Sequence, residues 1–147
     1  MSLNELYREV ILDHYRSPRN RGSIADAPHH GEGQNPLCGD EVAIDLVVAD
    51  GVVTDVAVSG QGCSISQASA SMMSEAIKGK RLDEVASVAD RFIELMTGDA
   101  VALDESAPGS VLGDLEALAG VREFPVRIKC ATLGWHTMLD ALDIDHD

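Results

Sequence analysis

An α+β fold, a small three-stranded antiparallel sheet packed against several helices, follows from three features of this chain. Val42 to Ala49 alternates, with Val42, Ile44, Leu46 and Val48 on one face and Asp45 on the other. Asp50-Gly51 is a strong hairpin turn, and Val52 to Ser59 returns as the partner strand. On both sides of this hairpin, apolar residues recur at helical spacing.

The elements follow in order. Ser2-x-x-Glu5 is a capping box opening a helix whose face carries Leu3, Leu6, Val10 and His14, with Ile11 beside it, and Ser17-Pro18 stops it. Arg19 to Leu37 is rich in Gly, Pro, His and Asn, and reads as a long loop holding one short strand. After the hairpin, Ser64 to Lys78 is helical, with Ile65, Ala68, Met72 and Ala76 in register, and Gly79 ends it. Leu82 to Met96 forms one or two further helices, and Thr97 to Gly113 is an irregular excursion. Leu115 to Leu118 is a short helix; Pro125 interrupts; from about Ile128 a last helix packs Ala131, Trp135, Met138 and Leu142.

The chain has 147 residues, the size of one domain spanning 1–147, with no repeat or linker. Aromatics make up 3%, so the core is aliphatic. The formal net charge of −14 argues against nucleic acid and anionic membranes as partners, because phosphate binding needs a basic face. It suits a partner with a basic patch. The amino terminus lacks a secretion pattern, and no apolar run is long enough to span a bilayer. Three cysteines cannot all pair within one chain, so a reducing cytosol and thiols kept for metal or catalysis are the simplest reading.

Each cysteine lies at a junction: Cys38 before the hairpin, Cys63 between the hairpin and the next helix, Cys130 at or near the start of the last helix. Gly39, Gly60 and Gly62 permit tight turns beside two of them. A lone cysteine is more often a small buried hydrophobe than a ligand, and Asp40 alone is as readily a turn residue. Yet in Cys38-Gly39-Asp40 the carboxylate opposes formation of the nearby thiolate unless a cation lies between them. Cys38, Asp40, Cys63 and Cys130 together form a ligand set suited to tetrahedral Zn²⁺, which would deprotonate the thiols. His14 continues an apolar face and packs; His29 and His30 lie in a loop, His136 on another helical face and His146 in an acidic tail, so none joins the set. Arg127 and Lys129 precede Cys130, either as solvated charge or as cations that lower a thiol pKa or meet an anionic group of a partner.

The stretches ILDHYRSPRNRG, NPLCGDEVAIDLVV, GQGCSISQASASMMSEAIKGK and FPVRIKCATLGWHTML together resemble the U-type iron–sulfur scaffold family, IscU/NifU-N. Lys129 stands before the third cysteine where IscU-type scaffolds carry histidine, and an extra segment runs roughly from Thr97 to Val121; both features resemble the SufU-type branch. That resemblance implies Zn²⁺ held by Cys38, Asp40, Cys63 and Cys130. It implies a sulfurtransferase accepting persulfide sulfur on Cys38 from a PLP-dependent, SufS-type cysteine desulfurase and passing it to downstream cluster assembly proteins, with Arg127 at a basic position near the site. The alternative is a scaffold binding a [2Fe–2S] cluster at the same residues. Transfer chemistry is consistent with the local setting: Cys38 occupies the most flexible, glycine-adjacent loop, where a displaced thiolate could attack the outer sulfur of a persulfide.

Overall fold

The computed structural model describes residues 3–97 and 112–144. Along the chain run α1 (Leu3–Arg16), β1 (His29–Asn35), β2 (Asp40–Ala49), β3 (Val52–Gln61), α2 (Ser64–Ile77), α3 (Leu82–Thr97), a 3-10 helix (Gly113–Glu123) and α4 (Pro125–Ala141). The α+β expectation holds: one antiparallel sheet in the order β1-β2-β3 is covered by helices. The capping serine, Ser2, the excursion at 98–111 and His146 lie outside the described residues.

The hairpin forms as its turn residues require. Asp50 (φ 54°) and Gly51 (φ 75°) both adopt left-handed backbone, the geometry that matches the twist of two paired strands. Val42, Ile44 and Leu46 point into the core, joined by Val53, Val56 and Val58 of β3. The strand found in the early loop, β1, is seven residues long and covers the outer edge of β2. Its glycines explain its place: a Cβ at Gly31 or Gly33 would strike Thr137, so β1 lies close against α4 only because side chains are missing there. The opposite edge of the sheet is capped by Asn20 to Gly22, which exchanges backbone hydrogen bonds with Val58 at 2.9 Å.

Two expectations are specified further and one, for Pro125, is corrected. Asp45, on the opposite face of β2 from Val42, Ile44 and Leu46, is nonetheless buried, accepts the Ile24 backbone N–H at 2.9 Å and pairs with His30 Nδ1 at 2.5 Å. Alternation predicts which side a residue takes, but the loop at 21–28 folds back over that side. Leu82 to Thr97 is one unbroken helix. Pro125 does not interrupt α4 but opens it as its first residue, where the missing N–H has no helical partner to lose. Cys130 is therefore six residues into the helix, beyond the free N–H groups of its end.

The core is aliphatic apart from Phe92 and Trp135, whose rings stack at 4.8 Å. Trp135 Nε1 donates to Ser69 Oγ at 3.2 Å, and Ser69 in turn donates to the carbonyl of Ala131, tying α4 to α2. His14 packs as expected and is fully buried. Its Nδ1 lies 2.8 Å from Ser71 Oγ, which also accepts the Arg19 N–H, and its Nε2 lies 2.8 Å from Asp114 Oδ2. One imidazole thus fastens α1 to α2 and to the 3-10 helix.

Phe92→Ala is expected to lower unfolding free energy by about 3–5 kcal/mol, measured by urea titration, because it leaves a cavity against Trp135. His30 supplies a pH signature. Asp45 first, then Glu32, raise its pKa above the ordinary imidazole value. For Asp45, burial pushes the pKa up, but His30 and the Ile24 N–H outweigh it, so the net direction is down. The imidazolium contribution is complete below about pH 6.5 and fades as pH rises through the raised folded value; the carboxylate contribution is lost only in acid. The His30→Gln variant should melt below wild type near about pH 6 and converge with it above about pH 8.

Candidate metal centre

The residues of Asn35 to Asp40 fold as a tight reversal between two paired strands. The Asn35 carbonyl accepts the Cys38 N–H at 3.2 Å, Gly39 takes φ 70°, and Asn35 and Asp40 then face each other as the last β1–β2 pair. Cys38 is left at the turn, half-buried, beside the well-exposed Leu37. Asp40, two residues on, is already in the strand and 1% exposed. Cys63 is the N-cap of α2, directly after β3. Gly62 stands before it because a Cβ there would enter the Asp40 carboxylate and meet Ser66 Oγ. Cys130 is fully buried in α4.

The fold brings these distant segments together. Sγ of Cys38, Sγ of Cys130 and a carboxylate oxygen of Asp40 all lie within 4.8 Å of one another. The two sulfurs are 3.3 Å apart. A covalent S–S bond is about 2.05 Å, whereas two thiolates about 2.3 Å from one tetrahedral metal stand about 3.8 Å from each other. The backbone N–H of Cys63 donates to Asp40 Oδ1 at 2.9 Å, at the end of α2 where helix N–H groups favour negative charge. Asp40 Oδ2 is buried and finds no hydrogen-bond donor among the described residues. A buried oxygen without a donor is costly, and a cation at that point removes the cost.

Burial pushes the Cys130 thiol well above its ordinary pKa, and the neighbouring Asp40 carboxylate and the sulfurs of Cys38 and Cys63 add to this. Without a cation, protein charge at this point opposes further negative charge; with one, three thiolates and a carboxylate become mutually compatible. Soft sulfurs with one hard oxygen suit a borderline divalent ion such as zinc.

The sulfur of Cys63 is not part of the tight trio; it interacts with Cys130 and with the guanidinium of Arg127. Arg127, in the first turn of α4, is exposed and feels Cys63 first, then Cys130 and Cys38, which strengthen its hold on its proton. Lys129 instead lines a groove of about 550 Å³ with Asn35, Leu37, Leu133 and His136. His29 Nδ1 sits 3.2 Å from the Ala141 carbonyl and His30 pairs with Asp45, so both serve the fold rather than this site. The residue that sequence reasoning missed is Asn35, whose Nδ2 donates to Cys130 Sγ at 3.6 Å. Its position beside the Cys-Gly-Asp motif was the signal available.

Fold and site together define a thiol protein that brings cysteines and one buried carboxylate from distant chain segments into a candidate metal centre. Residues 6–131 match the NifU-like N terminal domain, and the chain belongs to that family, in which iron–sulfur cluster assembly proteins are found. It is 45% identical over 137 residues to the zinc-dependent sulfurtransferase SufU of Bacillus subtilis (strain 168), covering 93% of this chain and 89% of that one. It is 39% identical over 140 residues to the iron–sulfur cluster assembly scaffold protein IscU of Streptococcus pyogenes serotype M1, covering 95% and 84%. Among solved structures, FiSufU of the SUF system of Fervidobacterium islandicum AW-1 superposes with a TM-score of 0.83 at 33% identity over 96% of this chain and 99% of that one.

Asp40→Asn tests the orphaned oxygen. In metal-free protein the substitution removes a buried charge and keeps an oxygen for the Cys63 N–H, so stability should rise by about 1–3 kcal/mol. With a divalent metal added, the rise in melting temperature seen for wild type should be largely lost. Calorimetry with and without metal reads both effects.

Proposed function

We propose that this chain is a zinc-dependent sulfurtransferase that accepts persulfide sulfur from a cysteine desulfurase for iron–sulfur cluster assembly. The observation that carries the reading is the convergence of Cys38, Asp40 and Cys130 around a buried carboxylate oxygen with no donor among the described residues. Cys63, beside Cys130 and Arg127, would be the fourth ligand of a Zn²⁺ ion. When bound, zinc would keep the thiols deprotonated and subdued until a ligand is displaced. The zinc-dependent SufU relative supports this choice over iron, as does Lys129 at the position where IscU-type scaffolds are expected to carry histidine.

Cys38 is the proposed acceptor. It sits on a turn, half-buried, whereas Cys130 is sealed in the core. Its thiolate attacks the outer sulfur of a partner persulfide, R–S–SH. A new S–S bond forms on Cys38, the partner's S–S bond breaks, and the partner leaves as R–S⁻, so no external oxidant or reductant is consumed. Arg127 is placed to steady the departing negative charge or an anionic group on the partner. Leu37, Phe124 and Val126 are exposed large apolar residues close in sequence to Cys38 and Arg127, and supply a surface on which a partner can dock. Three free thiols fit a reducing compartment, the cytosol in this proposal.

Cys38→Ser should keep its fold and part of its metal, because Asp40, Cys63 and Cys130 remain, yet take up almost no sulfur when mixed with a cysteine desulfurase and cysteine. Cys63→Ser and Cys130→Ser should lose zinc first and activity with it. Mass spectrometry locates the added sulfur: an adduct of about 32 Da on Cys38 is expected from thiol–disulfide exchange at that residue. Modification of Cys63 or Cys130 with Cys38 free would overturn the assignment. Stoichiometric iron with visible absorption after anaerobic purification, in place of zinc, would establish a [2Fe–2S] scaffold instead. Zinc removal by a strong chelator should lower the melting temperature by many degrees while the aliphatic core keeps the chain folded.

A further inference from the structure

The three cysteine sulfurs do not have equivalent surroundings. Cys130 Sγ receives the Asn35 side-chain amide, Nδ2, at 3.6 Å. Cys63 has the guanidinium of Arg127 as a hydrogen-bonding and charge partner. Cys38 has the sulfur of Cys130 at 3.3 Å and the Asp40 carboxylate within 4.8 Å, and among the described residues no N–H donates to it. Two of the three sulfurs therefore have an N–H donor and the third has none.

Asn35 is also linked to several parts of the site. Its side chain reaches Cys130, its carbonyl closes the turn carrying Cys38, and its backbone pairs with Asp40 in the sheet. Asp40 in turn takes the Cys63 N–H. Asn35 is buried, so a change in its side chain is transmitted without solvent to absorb it.

We propose that Asn35 is a positioning residue that donates a hydrogen bond to the metal-bound thiolate of Cys130, making Cys130 the permanent ligand and leaving Cys38 as the one that is displaced and reacts. This rests on the metal-centre reading above. A metal-bound thiolate accepts hydrogen bonds and cannot donate them, so the amide must present nitrogen rather than oxygen. The N–H withdraws electron density from the sulfur and lowers its nucleophilicity, and it fixes the direction of the Cys130 side chain. Selectivity for Cys38 then has two sources, its exposed turn and its lack of a donor.

The experiment uses wild-type protein loaded with ¹¹³Cd, a spin-½ stand-in for zinc. A through-bond coupling from ¹¹³Cd to the Asn35 side-chain amide protons is expected in ¹⁵N-edited spectra, alongside couplings to the cysteine β-protons. Cysteine couplings without any to the Asn35 amide overturn this proposal and leave the metal-centre reading intact. No cysteine couplings overturn both.

Asn35→Leu, similar in size and without a donor, adds a functional readout. Zinc affinity by competitive titration should fall by about 10–100-fold, the usual effect of losing an outer-shell partner. Unchanged affinity in the folded variant overturns the proposal. Should Asn35→Leu fail to fold, Asn35→Asp, which keeps the shape and removes the donor, takes its place, and the cadmium coupling in wild type decides independently of either variant.

Discussion

A carboxylate held out of water sets the constraint around which this structure is arranged. Asp40 is fixed at the first position of β2, with one oxygen committed to the Cys63 N–H and the other buried without a donor among the described residues, while the carboxylate lies within 4.8 Å of two sulfurs. That single side chain links the sheet to the start of α2 and stands beside Cys38 and Cys130. Desolvating it without a partner costs free energy, so the metal-free protein stores a demand for a cation. The rest of the fold keeps that demand in place. Gly62 clears room for the carboxylate, and Gly31 with Gly33 lets β1 lie against the helix bearing Cys130.

Stability and reactivity are separated along the chain. Cys130 sits deep in α4, between strands and helices whose packing is aliphatic and ordered by the Phe92–Trp135 stack. Cys38 is on a turn held by one backbone hydrogen bond. Moving it disturbs few buried contacts, whereas moving Cys130 would open the core. The proposed transfer needs this difference, because one thiol would have to be free to react while the others held the ion. Leu37, exposed and apolar, adjoins the thiol on the turn, where in the proposed function a partner delivering sulfur would bind.

The remaining polar clusters are structural. His14 joins three elements through its two ring nitrogens, and His30 with Asp45 closes a loop over the sheet. Both histidines could have been taken for metal ligands from their type alone. What distinguishes them is that their polar partners are already supplied by neighbouring side chains, whereas the Asp40 oxygen has no donor among the described residues.

The hairpin at Asp50-Gly51, the boundaries of α1 and α2, and the burial of Val42, Ile44, Leu46 and Trp135 were legible in the sequence, because they depend on local backbone preference and on periodicity that a few neighbouring residues express. The ligand set was legible as chemistry: three thiols and a carboxylate two residues from one of them call for a cation wherever they meet. That they meet was beyond local pattern, since Cys38 and Cys130 approach only when β1, β2 and α4 pack together. The same reason hid Asn35, whose amide reaches a sulfur 95 positions away in the chain. It also hid the burial of Asp45, which a distant loop covers, and the role of Pro125, which reads as a breaker until the position it takes in the helix is known. Sequence determined which groups were available and what they could bind; the tertiary structure decided which were adjacent and which had no donor, because adjacency and desolvation are properties of packed surfaces rather than of segments.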